Sequence, residues 1–229
     1  MLSSWDVEFD AVNVENNPTA REELRRAGVT TVPAVVRGEQ AVEGWNPHAV
    51  AQLLGVPYAQ AERLSPAELI ERLDRILAAA QRAIRQVPVD KLELKSPDRD
   101  RPVRQLGYHI FRLSAAFPDG VEQDRFPYEW LVEPVPPEIT DGEAIARYGD
   151  GVRSRLREWF SRAEVGVYAR TVVTYAGPQS GHELLERTTW HAAQHLRQLY
   201  AFLEMMGIPP DQPLGEEDFK GLPLPEQLW

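Results

Sequence analysis

The run SGHELLERTTWHAAQHLRQLYAFLEMM, Ser180 to Met206, decides how the rest of the chain is read. Ser180 followed three residues later by Glu183 is a capping box, in which a hydroxyl and a carboxylate each take a backbone N–H that the first helical turn leaves without a partner. Leu184, Thr188, His191, His195, Leu199, Phe202 and Met206 then recur every three or four residues, the spacing of one helix face. Gly207 with Pro209 and Pro210 stops the run. That face turns toward a core, yet its middle is two histidines one turn apart. A buried imidazole has a donor and an acceptor to satisfy, and an unpaired polar group costs about 1–3 kcal/mol. A divalent cation shared by both rings removes that cost, and His-x-x-x-His on a helix is a recurrent way to present two nitrogens to zinc, nickel or iron. Hydrogen-bonded or solvent-facing histidines are the other reading of such a pair.

Working back along the chain, three further helices are expected. Ser65-Pro66-Ala67-Glu68 supplies an N-cap, a proline at the first helical position and the carboxylate of a second capping box. Leu69, Ile70, Leu73, Ile76, Leu77, Ala80 and Ile84 follow as one apolar stripe. After a polar connection, residues 87–101, the next helix is expected from Pro102 to Phe117, with Val103, Leu106, Ile110, Leu113 and Phe117 inward and Pro118-Asp119-Gly120 ending it. Thr140-Asp141-Gly142-Glu143 repeats the capping-box pattern and opens a third helix, with Ile145, Tyr148, Val152, Leu156 and Trp159 as its stripe. Between them the stretch Val121 to Ile139, which contains FPYEWLVEPVPPEI (126–139), has no sustained period and so reads as a long structured loop of the kind that serves as lid or pocket wall. Residues 165–175 are β-rich and read as a short extended excursion. Four helices, three with the same start signal, make a four-helix bundle the economical solution.

His109 lies on the second of these helices beside its stripe, three residues after Leu106 and four before Leu113. In a bundle that flank can face a neighbouring helix. Three nitrogens from two helices would leave a coordination position open, which separates a catalytic metal from a structural one.

A histidine in Gly107-Tyr108-His109-Ile110, followed by HAAQHLRQ (191–198), resembles the DinB-like superfamily over about residues 65–208. The resemblance implies a four-helix bundle, a zinc, nickel or similar divalent ion on His109, His191 and His195, and often a homodimer. Its characterised members include S-transferases and isomerases that use low-molecular-weight thiols, and proteins proposed as metal-dependent hydrolases. Many members place arginine directly after the last histidine; here Leu196 stands between His195 and Arg197, which puts that arginine's supporting role in question. Tyr108 and Trp190 are candidate pocket residues, although aromatics at helical spacing are more often plain core. His48 and His182 read as surface groups, and Arg99, Arg101 and Arg104, interleaved with Asp98 and Asp100, as a solvated face.

The first 56 residues have a different texture. Trp5 to Val14 (WDVEFDAVNV) carries apolar residues at period two and is expected to be a strand. A helix opens at Pro18-Thr19 and stops at Gly28, a hairpin over 31–42 turns at Gly38, and a last helix runs from Asn46-Pro47 through Leu54 to Gly55. This order resembles the second half of a glutaredoxin or thioredoxin-like domain. The likeness rests on Gly28-Val29-Thr30-Thr31-Val32-Pro33, where that family places a cis-proline loop, and on Val42-Glu43-Gly44-Trp45-Asn46. The family's cysteine-bearing helix would precede everything seen here, so either the native chain is longer or the half-domain survives as a docking element. The expected division is a partial thioredoxin-like α/β domain over 1–56, the bundle over 57–208 and a proline-rich tail over 209–229. The fold class is then α+β overall and mainly α.

Composition narrows the chemistry. The 229 residues contain no cysteine, so the chain has no thiol nucleophile, no dithiol redox couple and no thiolate metal site, and a tightly held transition metal must sit on His nitrogen or carboxylate oxygen. A formal charge of −10, with eight acidic against four basic groups in residues 1–55, argues against nucleic acid or an anionic membrane as partner. No window approaches a membrane span, and a cytoplasmic protein is expected. The leading expectation is a metal-dependent enzyme of thiol S-transferase type acting on a small-molecule substrate with a low-molecular-weight thiol as cosubstrate. Val32, Pro33, Tyr108, Trp190 and Arg197 are its candidate thiol- or substrate-binding residues. A metallohydrolase and a non-catalytic metal-stabilised module are the alternatives. Elemental analysis is expected to find a divalent metal bound to the purified chain. Alanine at His191 or His195 should release it while far-ultraviolet circular dichroism shows the helices largely formed; unchanged metal content in both variants would refute the ligand assignment.

Overall fold

A computed structural model describes residues 2, 7–14, 17–29, 32, 34–43, 47–56, 63–95, 100–175, 177–225 and 228. The fold is α+β, dominated by helices, in two compact units: residues 1–63 with 175–177, and residues 64–174 with 178–229. Among the described residues no helix is long and apolar enough to cross a membrane.

In the first unit, α1 (Pro18–Arg26) opens at Asn17, whose side-chain oxygen accepts from the Ala20 N–H at 3.1 Å. Its end passes into Gly28 at φ +72°. Strands β1 (Ala34–Arg37) and β2 (Gln40–Glu43) form the antiparallel hairpin, in register Val35↔Val42, turning through Gly38 at φ +61°. Helix α2 (Pro47–Leu54) buries Val50 and Ala51, and Arg37 donates to the Leu53 carbonyl at 2.9 Å. The strand expected over 5–14 does not appear in its described part, residues 7–14, where Phe9 and Val12 are exposed. A period-two pattern becomes a strand only where a neighbour takes its backbone N–H and C=O groups, and among the described residues the hairpin strands pair with each other and with no further strand.

The second unit is the bundle: α3 (Pro66–Gln86), α4 (Val103–Glu122), α5 (Gly142–Arg162) and α6 (Gly181–Met205). Both complete capping boxes form as their sequences demand. Glu68 and Glu183 accept from the backbone N–H of Ser65 and Ser180 at 2.7 and 2.8 Å, and the serine hydroxyls accept the return bonds. The packed neighbours are α3 with α6, α6 with α4, α4 with α5 and α5 with α3. Consecutive helices α3 and α4, and likewise α5 and α6, therefore stand across the diagonals, and α4 lies against α6. The core between them is Leu69, Leu73, Ile76, Ile84, Leu106, Ile110, Phe111, Ile145, Leu196 and Phe202, all at most 2% exposed. Gln81, also buried, bridges α3 to α5 by donating to the Ala146 carbonyl at 2.8 Å and to Asp150 at 2.6 Å, and accepts from Arg153 at 2.9 Å.

Several expected boundaries move. The second bundle helix does not stop at Pro118 but continues to Glu122, because Phe117, Pro118, Gly120 and Val121 are all buried and their packing outweighs the one backbone bond that proline forfeits. It ends instead at Asp124, which takes a left-handed φ of +53°. Asp141, not Thr140, caps α5, accepting from Ala144 N–H at 2.7 Å. The loop after α4 forms strand β3 (Arg125–Phe126) and a 3-10 turn at Tyr128–Leu131. Strand β3 runs parallel to β4 (Thr171–Thr174), which is followed in the same small sheet by β5 (Gly177–Ser180). The tail is not irregular throughout: α7 (Glu216–Phe219) forms within it, and Leu222 is buried.

The start of α5 passes so close to the end of α3 that only glycine fits at residue 142, where a Cβ would lie 2.2 Å from the Ile84 carbonyl oxygen. Gly142→Ala is expected to destabilise the fold by about 1–3 kcal/mol, the usual cost of overpacking. Denaturant titration checks this, with Gly151→Ala, mid-helix and with its Cβ in open space, as the comparison expected to stabilise by about 0.5–1 kcal/mol.

Candidate metal centre

Helix α4 carries His109 between Leu106 and Ile110, and helix α6 carries His191 and His195 one turn apart. Because α4 and α6 are packed neighbours, the three rings meet. Ring centroids lie 5.0 Å apart for His109 and His191, 5.1 Å for His109 and His195, and 4.2 Å for the pair on α6. One nitrogen of each ring falls within 4.8 Å of the other two. The Nε2 atoms of His191 and His195 are 3.1 Å apart. Two nitrogens bound to one tetrahedral zinc at about 2.0–2.1 Å are separated by roughly 3.3–3.4 Å, so the His191–His195 pair stands close to the spacing one ion needs, with the His109 nitrogen within reach of both. Among the described residues no carboxylate or other histidine joins this cluster.

His109 is 3% and His195 5% exposed, and His191 is half-buried. Burial first, then the neighbouring His195 ring and the Arg101 guanidinium, push His109 well below the ordinary imidazole pKa. His191 is pushed down by burial and then by His195, His109, Arg187 and Arg101. Both rings are therefore neutral at pH 7, the form that binds metal.

The nitrogen of His195 that faces away from the cluster, Nδ1, is 2.6 Å from Gln198 Oε1. An amide oxygen can only accept, so this Nδ1 carries the proton and Nε2 keeps its lone pair for the centre. Gln198 is 4% exposed and was not singled out in the sequence, although its spacing of three from His195 put it on the same helix face. Arg101 is expected from its neighbours to lie on a solvated face. The structure instead places it half-buried, with Nη1 3.4 Å from His195 Nε2, because residue 101 directly precedes α4 and is carried to the metal-facing side. Beside His191 opens a recess walled by Leu113, Phe126, Leu131, Leu184, Arg187 and Thr188. The proline-rich loop thus supplies pocket walls, as expected, with Trp130 edge-on to Phe126 at 5.4 Å.

The other candidate residues divide. Trp190 stands next to the centre, its ring 6.3 Å from that of His191. Tyr108 is buried against Tyr148 of α5, ring centroids 5.0 Å apart, and so serves the α4–α5 core. Arg197 turns to the tail, donating to the Pro225 carbonyl at 2.7 Å and to Gln194 Oε1 at 3.0 Å. Val32 is exposed within the first unit, and Pro33, like Arg99 and the side chain of His48, lies outside the described residues. His182, expected at the surface, is half-buried and bonded through Nε2 to the Leu64 carbonyl at 2.9 Å.

A family model described as glutaredoxin matches residues 1–42. Comparison with curated proteins yields no match. Among solved structures the chain is similar to YfiT from Bacillus subtilis, described as "a probable metal-dependent hydrolase with an unusual four-helix bundle topology". The identity is 18%, the TM-score 0.51, and the match covers 67% of this chain and 95% of that one, so the two share the bundle fold.

Folding lowers the pKa of His109 and His191, so below the unfolded value of about 6.5 the unfolded chain binds more protons than the metal-free folded chain. With a chelator present, the melting temperature is expected to hold above pH 6.5 and to fall as the pH is lowered from there toward 5. His109→Leu should flatten that decline; an equal slope in both proteins would contradict the assignment.

Proposed function

We propose that the bundle is a metal-dependent transferase that joins a low-molecular-weight thiol to a small electrophile, with a divalent ion, zinc or nickel, on His109, His191 and His195. The observation that carries this reading is a cluster of three imidazoles, His109 and His191 among them held neutral by burial, flanked by the cations Arg101 and Arg187, in a chain without cysteine. Three protein ligands leave a position for an exogenous one. A divalent ion, when bound, stabilises a thiol as its thiolate and so provides a nucleophile at neutral pH.

The chain's own residues divide the remaining work. Arg101 and Arg187 favour an anion at the open position, since each guanidinium remains charged and donates only. Leu113, Phe126, Leu131 and Leu184 offer an apolar wall to the body of the electrophile and hold water away from it. In the reaction the sulfur forms a bond to the electrophilic carbon, the leaving group departs with its electron pair, and the thiol proton goes to solvent. The match of residues 1–42 to glutaredoxin is a second support, because that fold commonly accommodates glutathione-like thiols, and it keeps Val32 and Pro33 as candidates for thiol recognition.

A hydrolase is the second reading, favoured by the description of YfiT. It calls for a general base close to the ion, and among the described residues no carboxylate joins the three rings. Metal-loaded protein given a chromogenic electrophile is expected to turn over only when glutathione, bacillithiol or mycothiol is added. Arg101→Ala should lower kcat/KM for the thiol on the order of tenfold or more, the worth of one charge-assisted contact. Thiol-independent ester cleavage would favour the hydrolase, and inactivity with every thiol would leave a metal-stabilised binding module.

A further inference from the structure

The tail is strapped along the bundle. Gln86 donates to the Pro209 carbonyl at 2.9 Å, Arg82 to Gln212 at 3.0 Å and Arg72 to Asp218 at 2.7 Å, so residues 209–218 run back along α3 from its end toward its start. Beyond Leu222 the strap reaches α6, on the turns that carry His195. Arg197 takes the Pro225 carbonyl, and the Leu228 carbonyl accepts from two side chains at once, Gln194 Nε2 at 2.9 Å and Gln198 Nε2 at 2.5 Å.

The second of these bonds reaches the metal centre. A side-chain amide has one donating and one accepting end, and which end points where is set by its partners. The Leu228 carbonyl can only accept, so it fixes the Gln198 nitrogen toward the tail. The Gln198 oxygen is thereby turned to His195 Nδ1, which must hold the proton, and the lone pair is left on Nε2, 3.1 Å from the Nε2 of His191. Remove the tail carbonyl and the buried amide is free to flip. Its nitrogen would then face Nδ1, and the tautomer with the proton on Nε2, which cannot bind a metal, would be favoured.

We propose that the carbonyls of Pro225 and Leu228 are a working part of the metal centre, and that Gln198 is a positioning residue through which the tail sets the tautomer of His195 and with it the affinity for the ion. This rests on the three rings holding an ion and not on the reaction they support. Outer partners of ligating histidines typically change metal affinity ten- to a hundredfold.

The test is zinc or cobalt affinity, by chelator competition, of the full chain, of a chain lacking residues 225–229, of Gln198→Leu and of both changes together, with far-ultraviolet circular dichroism on each. Truncation and Gln198→Leu are each expected to weaken binding about ten- to a hundredfold with the helices retained, and the double variant to be no weaker than the worse of the two, since both break one chain of bonds. Gln198→Glu, which accepts the Nδ1 proton unaided, should retain affinity and make it insensitive to truncation. Unchanged affinity after truncation, or losses that multiply in the double variant, would overturn the coupling. Should the shortened chain fail to fold, nitrogen-15 spectra of His195 decide: a proton on Nδ1 in the full chain but not in Gln198→Leu supports the proposal, and the same tautomer in both defeats it. A full chain that binds neither metal would instead defeat the trihistidine reading itself.

Discussion

Three imidazoles share one dry point between α4 and α6, and much of the bundle around them serves that meeting. Each ring is a polar group that burial penalises, and lone pairs of neutral imidazoles that converge on one point repel unless a proton or a cation stands between them. A cation turns that conflict into an attraction. The low basicity of His109 and His191 has the same origin, since desolvation and adjacent positive charge both disfavour protonation and leave the lone pairs ready to bind.

The topology makes the meeting possible. With α3 opposite α4 and α5 opposite α6, the second and fourth helices of the bundle become neighbours, which a simple up-and-down order would place across the core. Close approach at Gly142 and Gly149, where a Cβ would strike the Ile84 carbonyl and the Phe111 ring, draws α5 onto α3 and α4 and completes the ring of contacts. Two polar side chains that reach the centre come from different segments: Arg101 from the turn before α4, and Gln198, held by the tail, from α6 itself, one turn beyond His195.

The lack of cysteine gives the two units a common chemical logic. A glutaredoxin-like segment without a thiol cannot carry dithiol exchange, and a bundle without a thiolate cannot supply its own sulfur nucleophile.

The helices of the bundle, their capping serines and the three histidines could be read from residue order, because helix periodicity, hydrogen-bonding end residues and metal-binding side chains are local properties that survive in a one-dimensional record. The hairpin at Gly38 and the stop at Gly28 were legible for the same reason. What went astray depended on partners distant in the chain. Residues 7–14 alternate like a strand but pair with no edge among the described residues; Pro118 looks like a terminator until burial of Phe117 and Val121 overrides it; and Arg101 looks solvated until α4 is set against α6. The sequence by itself determined which side chains could hold a metal. Only the tertiary structure decided that they meet, that Arg101 comes to the side of His195, and that the Leu228 carbonyl meets Gln198 behind it, since each of these is a distance between segments whose separation along the chain carries no information about their separation in space.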